Sequence, residues 1–165
     1  MRGDDSMKKI LELLEQDSKL TPEEIASMLD LDVAEVAAAI REYEEQKIIL
    51  SYKTIIDWDR ADREVLTALI EIHIAPQHGQ GFERVAQRIS QYDEVESVYL
   101  MSGGFDLTVI IRGKTLKEVA FFVAQKLAPL KEVTATATHF VLKKFKEQGV
   151  MFKEDVSGQE RLTIL

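Results

Sequence analysis

The chain has 165 residues, 45% apolar and 30% charged, enough for one domain of ordinary size or two small ones with real cores. No run approaches the roughly 18 to 20 apolar residues of a membrane span, and Met1 to Ser6 lacks the apolar middle of a secretory signal. A cytoplasmic protein without membrane contact is therefore expected; cysteine is absent, which excludes disulfides, thiolate metal sites and thiol nucleophiles but says little about compartment, and no cofactor is expected. The net charge of −8 is unevenly placed: residues 7–56 hold six bases against eleven acids, residues 65–148 ten bases against nine acids.

A first helix is predicted from about Met7 to Asp17, with Met7, Ile10, Leu11 and Leu14 on one face. Two helix starts follow eleven residues apart, Thr21-Pro22-Glu23-Glu24 and Asp32-Val33-Ala34-Glu35. In each, an N-cap oxygen can accept a backbone N–H while the Glu three residues on reaches back to the cap, and Pro22 suits the first helical position. Ile25, Ala26 and Leu29 line one helix and Val33, Val36, Ile40 and Tyr43 the next, across the corner Leu29-Asp30-Leu31. That arrangement is a helix-turn-helix. Leu50 to Trp58, rich in β-branched and aromatic residues, reads as a short hairpin or wing, and the polar cluster at 57–64 as a linker.

From Val65 the apolar period shortens toward two. Ala68, Ile70, Ile72 and Ile74 alternate with Thr67, Leu69, Glu71 and His73 until Pro76, which predicts a strand. Phe82, Val85, Ala86 and Ile89 predict a helix; Glu94–Met101 and Phe105–Arg112 are strands joined by Ser102-Gly103-Gly104. Thr115-Leu116-Lys117-Glu118 opens a helix with Leu116, Val119, Ala120, Val123 and Leu127 inward, ending near Pro129, and a last strand runs from Val133 to about Lys143. The order βαββαβ gives an α+β fold: a ferredoxin-like unit over 65–148, with both helices on one face of an antiparallel sheet. The other face, with Leu69, Tyr99 and Ile110, calls for a cover, and self-association is the economical one. Residues 149–165 form an extension whose Leu162-Thr163-Ile164-Leu165 either adds an edge strand or remains mobile.

These elements resemble the Lrp/AsnC, or feast/famine, family of transcription regulators. The likeness rests on Ile10-Leu11-Glu12-Leu13-Leu14, Leu20-Thr21-Pro22-Glu23-Glu24-Ile25-Ala26, and Val36 with Ile40-Arg41-Glu42-Tyr43-Glu44. It continues through Ile48-Ile49-Leu50-Ser51-Tyr52, Val95-Glu96-Ser97-Val98 and Ser102-Gly103-Gly104-Phe105-Asp106. The resemblance implies a non-enzymatic regulator with a winged helix-turn-helix over 7–56 that binds double-stranded DNA. It also implies a sensing domain that takes a small-molecule effector, usually an amino acid, between the subunits of a homodimer, tetramer or octamer. The effector site so implied comprises Leu100, Met101, Ser102, Gly103, Gly104 and Asp106, with His139, Phe140 and Val141 on the last strand. Gly104 stands where the family often has an acidic residue.

For the hairpin two readings stand together. Gly103 and Gly104 can adopt positive φ and admit a ligand while Asp106 pairs with an α-ammonium group, or Asp106 accepts local backbone N–H groups in a turn. For DNA, Arg41, Lys47 and Lys53 are the phosphate candidates, although Arg41 can instead pair with Glu45 on a solvated face. The start of the recognition helix, Asp32, Val33, Ala34, Ala37 and Ala38, offers capping and apolar contact but no base-reading amide or guanidinium. So acidic a reader needs several copies to grip DNA, or the chain is an oligomeric metabolite sensor acting on a protein partner. His73, His78 and His139 lack metal-site spacing, Gly79-Gln80-Gly81 is a loop, and Phe105, Phe121, Phe122, Phe140 and Phe145 belong to core or interface.

Overall fold

The computed structural model describes residues 2–75 and 81–152, with side chains from Met7 onward. The chain divides into two compact units, Met1–Ile55 and Ile56–Leu165. Pro76, His78, most of the Gly79-Gln80-Gly81 loop and the Leu162–Leu165 segment lie outside the described residues.

The first unit is three helices: α1 (Arg2–Gln16), α2 (Pro22–Leu29) and α3 (Val33–Glu45). Helix α1 starts ahead of the predicted Met7. Thr21 forms the full capping box: its Oγ1 accepts Glu24 N–H at 3.3 Å, and Glu24 Oε2 accepts Thr21 N–H at 2.8 Å. At Asp32 the box is half made, with Oδ1 accepting the N–H groups of Ala34 and Glu35 at 2.8 and 3.3 Å. Between the helices Asp30 takes φ 55, a left-handed conformation that Asp tolerates, and Leu31 N–H returns to Ala26 O at 3.0 Å. Ile10, Leu14, Ile25, Ala26, Val36 and Ala39 are the core. Val33 is 40% exposed, so Ala39 rather than Val33 completes the packed face of α3. Residues 51–57 carry no strand, because none of the described residues offers them a ladder partner; the expected wing hairpin is an irregular segment.

The second unit carries β1 (Leu66–Ile74), α4 (Gly81–Ile89), β2 (Val95–Leu100), β3 (Leu107–Gly113), α5 (Leu116–Phe122) and β4 (Val133–Phe140). The strands form one sheet in the order β2-β3-β1-β4, every pairing antiparallel, as the split βαβ topology requires. Ala68, Ile70, Ile72 and Ile74 of β1 and Leu107, Val109 and Ile111 of β3 are buried together with Val85, Ile89, Val119, Phe122, Leu127 and Leu130. Leu116 and Ala120 are exposed, contrary to expectation. After α5, residues Val123–Leu127 form a π-turn, with Ala128 N–H bonded to Val123 O, and Phe122 and Leu127 are buried.

The second sheet face is less apolar than the strand sequences suggest. Thr67 and Thr108 are buried there beside half-buried Leu69 and Ile110, and two polar contacts cross it, Glu71 with His139 at 3.3 Å and the ion pair of Glu96 with Arg112 at 2.7 Å. The Arg112 Nε–H points off the line to Glu96, leaving that nitrogen without a hydrogen bond. Past β4 the chain turns through a small hairpin, β5 (Lys146–Glu147) with β6 (Val150–Met151). Gln148 and Gly149, with φ 46 and 85, form its two-residue loop, so the expected boundary at 148 falls inside one turn.

Ile72 is fully buried at the centre of the sheet, and Ile72→Ala should destabilise the second unit by about 2–5 kcal/mol in chemical denaturation. Lys126 donates to Glu94 and holds that carboxyl below its ordinary value of 4.5 against the opposing pull of desolvation. The stability this contributes is present above that value and lost as pH falls below it; Glu94→Gln should flatten the acid limb of a stability-against-pH curve.

Candidate nucleic-acid and effector sites

Helix α3 presents Ala34, Glu35, Ala38, Arg41, Glu42 and Glu45 to solvent, with Ala37 half-buried between them. Ala34, Ala37, Ala38 and Arg41 fall on one face at helical spacing, so the expected docking residues do share a surface. The Asp32 carboxylate is occupied in capping, and Val33 stands exposed beside it. Arg41 Nε donates to Ala37 O at 3.3 Å and thus curls along its own helix, where pairing with Glu45 was the competing expectation. Lys47, exposed, takes φ 58, and Ile48 and Ile49 donate back to Tyr43 O at 2.8 and 3.0 Å, which ends α3 sharply.

Lys53 lies exposed on the segment after α3. That segment is hooked to the helix by Tyr52, whose hydroxyl donates to Glu44 Oε1 at 2.9 Å. Desolvation, then the hydrogen bond to Glu44 and its charge, raise the Tyr52 phenol above its ordinary value. Sequence patterning missed this clasp, since nothing in the spacing of Glu44 and Tyr52 marks them as partners.

The hairpin between β2 and β3 is held by Asp106. Its N–H donates to Ile72 O at 3.0 Å, its carbonyl accepts Met101 N–H at 2.8 Å, and its Oδ2 accepts Ile74 N–H at 2.7 Å. The carboxylate therefore caps the end of the neighbouring strand, a contact distant in sequence where local amides were expected. Ser102, Gly103 and Gly104 are exposed between exposed Leu100 and Met101 and half-buried Phe105 and Asp106. Neither glycine adopts positive φ, so the left-handed backbone expected of them is not used. A Cβ on either would meet nothing within 4 Å, so none of the described residues requires glycine there.

His139, Phe140 and Val141 are not brought to this hairpin. Leu107 is level with Ile72 and Thr136, whereas His139 pairs with Leu69, three residues along β1 or about 10 Å away, with β1 between. His139 instead meets Glu71 across the second sheet face. Among the described residues no group of His, Asp and Glu could hold a metal ion, and no helix is long and apolar enough to cross a membrane. Removing the Asp106 carboxylate strands the Ile74 amide, so Asp106→Ala should cost about 1–3 kcal/mol and speed hydrogen exchange at Ile74.

Residues 67–151 match the family described as the Lrp/AsnC ligand binding domain, and residues 4–49 the one described as winged helix-turn-helix DNA-binding. The HTH-type transcriptional regulator YugG of Bacillus subtilis is 46% identical over 146 residues, which is 88% of each chain. The proline dehydrogenase transcriptional activator of Rhodobacter capsulatus is 26% identical over 86% of this chain and 92% of its own. Among solved structures, AsnC of E. coli superposes with a TM-score of 0.65 at 15% identity, covering 91% of this chain and 96% of that one. The transcriptional regulator NMB0573 of Neisseria meningitidis, solved as a complex with L-Met, gives 0.68 at 21% identity, covering 86% and 91%. With the helix-turn-helix and the ferredoxin-like unit each matched in chain order, the protein belongs to the Lrp/AsnC family and is a DNA-binding transcription regulator, not an enzyme.

Proposed function

We propose that this regulator is cytoplasmic, that it binds DNA as a homo-oligomer, and that an amino acid bound at the hairpin Leu100–Asp106 shifts the balance among its assemblies. The observation that carries the effector site is the pair Gly103 and Gly104. They are exposed, free of left-handed strain and free of any neighbour that a side chain would strike, so the space over them is open to a ligand or a second copy. The carboxylate of Asp106 stands at the base of that loop, suited to an α-ammonium group. That a relative of the same fold was solved with L-Met supports an amino acid as the class of ligand. Coupling then follows from differential affinity, since a ligand held between subunits favours the arrangement that contacts it best.

Arg41, Lys47 and Lys53 supply phosphate contacts on the reader, and Ala34, Ala37 and Ala38 offer methyl surface to the groove. Residues 7–56 nevertheless carry six bases against eleven acids, so one copy binds weakly and linked copies multiply the contacts. Titration with fragments of the protein's own promoter at about 50 and 200 mM salt should show sequence-preferring binding that weakens steeply, and Arg41→Ala should lower the log–log salt slope by about 0.9. Absence of preferred binding at the lower salt would overturn the direct DNA role and favour a protein partner.

For the effector, Gly103→Ala is the cleaner variant, because the added Cβ leaves the fold undisturbed. It should keep the melting temperature of the free protein and lose the stabilisation that an amino acid confers. An unchanged ligand response would remove the hairpin from the site.

A further inference from the structure

A DNA-binding protein of net charge −8 must meet phosphate through local concentrations of positive charge, because its overall field repels a polyanion. The reader is no such concentration, with six bases against eleven acids over 7–56. The densest one lies in the second unit, where Lys143, Lys144 and Lys146 fall within four residues; no other window of four in the chain holds three bases. These lysines run into the hairpin β5–β6, which is a built element. Lys146 pairs with Met151 and Glu147 with Val150, and Phe152 N–H donates to Phe145 O at 3.0 Å. Lys144, half-buried, donates to both oxygens of Glu147 at 3.0 and 3.1 Å, so the one acid of residues 141–152 is engaged within the hairpin. Lys143 and Lys146 are exposed, and the Lys143 ammonium lies 5.0 Å from the exposed ring of Phe145. Lys143 and Lys144 share a hollow with Asp57 and Asp59, which compensate that side, whereas Phe145 and Lys146 stand outside it. The hairpin therefore flanks the residues by which the chain enters this unit from the reader.

We infer that the β5–β6 hairpin is a DNA-backbone contact additional to the reader, in which Lys143 and Lys146 each neutralise one phosphate of the duplex. The inference rests on the DNA-binding role of the protein and is independent of the effector. Lysine meets phosphate as a point charge whichever base follows, so the contact adds affinity without sequence preference. The paired backbone holds the lysines in place and keeps the cost of ordering them small. A second copy of the chain suits this surface less well: lysine is depleted from protein interfaces, and across a two-fold contact the same lysines would face one another. An anionic bilayer would attract them too, but the family to which the chain belongs acts on DNA.

The test compares the full-length protein with its Lys143→Gln/Lys146→Gln variant, titrated with a promoter duplex and with an unrelated duplex between about 50 and 200 mM salt. The variant should lower the log–log salt slope by about 1.8, two contacts at about 0.9 each, so that its affinity loss across that salt range is roughly tenfold smaller than that of the wild type. Both duplexes should weaken by the same factor, since phosphate contacts do not read sequence. Lys117→Gln/Lys131→Gln removes as much charge from exposed positions elsewhere in the same unit and should leave the slope unchanged. On the wild type, bound duplex should cut the labelling of Lys143 and Lys146 by an amine-reactive ester several-fold while Lys117 and Lys131 label as before. The inference is overturned if the Lys143/Lys146 variant keeps the wild-type slope, if the Lys117/Lys131 variant lowers it equally, or if duplex leaves the labelling of Lys143 and Lys146 unchanged. A kept slope with an altered sedimentation coefficient would assign the hairpin to contact between copies, and a kept slope with lost binding to phosphatidylserine vesicles would assign it to a membrane. Because Arg41→Ala reads the reader separately, a slope lowered by that variant alone would sink the hairpin contact and leave the reader's role standing.

Discussion

Strand β1 is the constraint on which the second unit depends. It hydrogen-bonds along both edges, to β3 from Leu66↔Gly113 to Ile72↔Leu107 and to β4 from Ala68↔Phe140 to Ile74↔Val133. Its register fixes which side chains enter the core, since a slip of one residue would exchange the Ile70 and Ile72 set for Leu69 and Glu71. Asp106 reinforces that register at the far end by accepting the Ile74 amide and donating to Ile72 O. The residue at the base of the hairpin thus belongs to the sheet's own hydrogen bonding. A ligand that draws on this carboxylate acts on the central strand directly.

The first unit meets a different constraint. Its recognition helix is built well, with Asp32 capping one end and a left-handed Lys47 closing the other, yet its exposed face alternates Arg41 with Glu35, Glu42 and Glu45. Fold and affinity are set by separate features here: capping and the apolar stripe make the helix, and surface charge sets how strongly it meets phosphate. Glu44 is withdrawn from that balance in part, because it accepts the Tyr52 hydroxyl and fastens the following segment to α3.

Where the sequence was misleading, each case has a local cause. Leu50 to Trp58 has the β-branched and aromatic content of a strand, but a strand exists only with a partner, and none of the described residues pairs with it. The α5 pattern assumes 3.6 residues per turn throughout, whereas the turn at 123–127 is a wider π-turn; Phe122 and Leu130 on either side of it are inward, and Leu116, directly after the Thr115 cap, is 59% exposed. Gly103 and Gly104 signal a hairpin correctly, although their conformational freedom is not what the turn uses.

The sequence by itself determined the helix starts, through Thr21, Asp32 and Thr115, and the core face of β1, through strict alternation, because capping and period-two burial are local physics. Order and type of elements then left the split βαβ topology as the economical packing. Tertiary structure alone decided what the functional side chains touch. That Asp106 reaches Ile74 and that His139 faces Glu71 away from the hairpin both follow from register across strands distant in sequence, which no local pattern encodes.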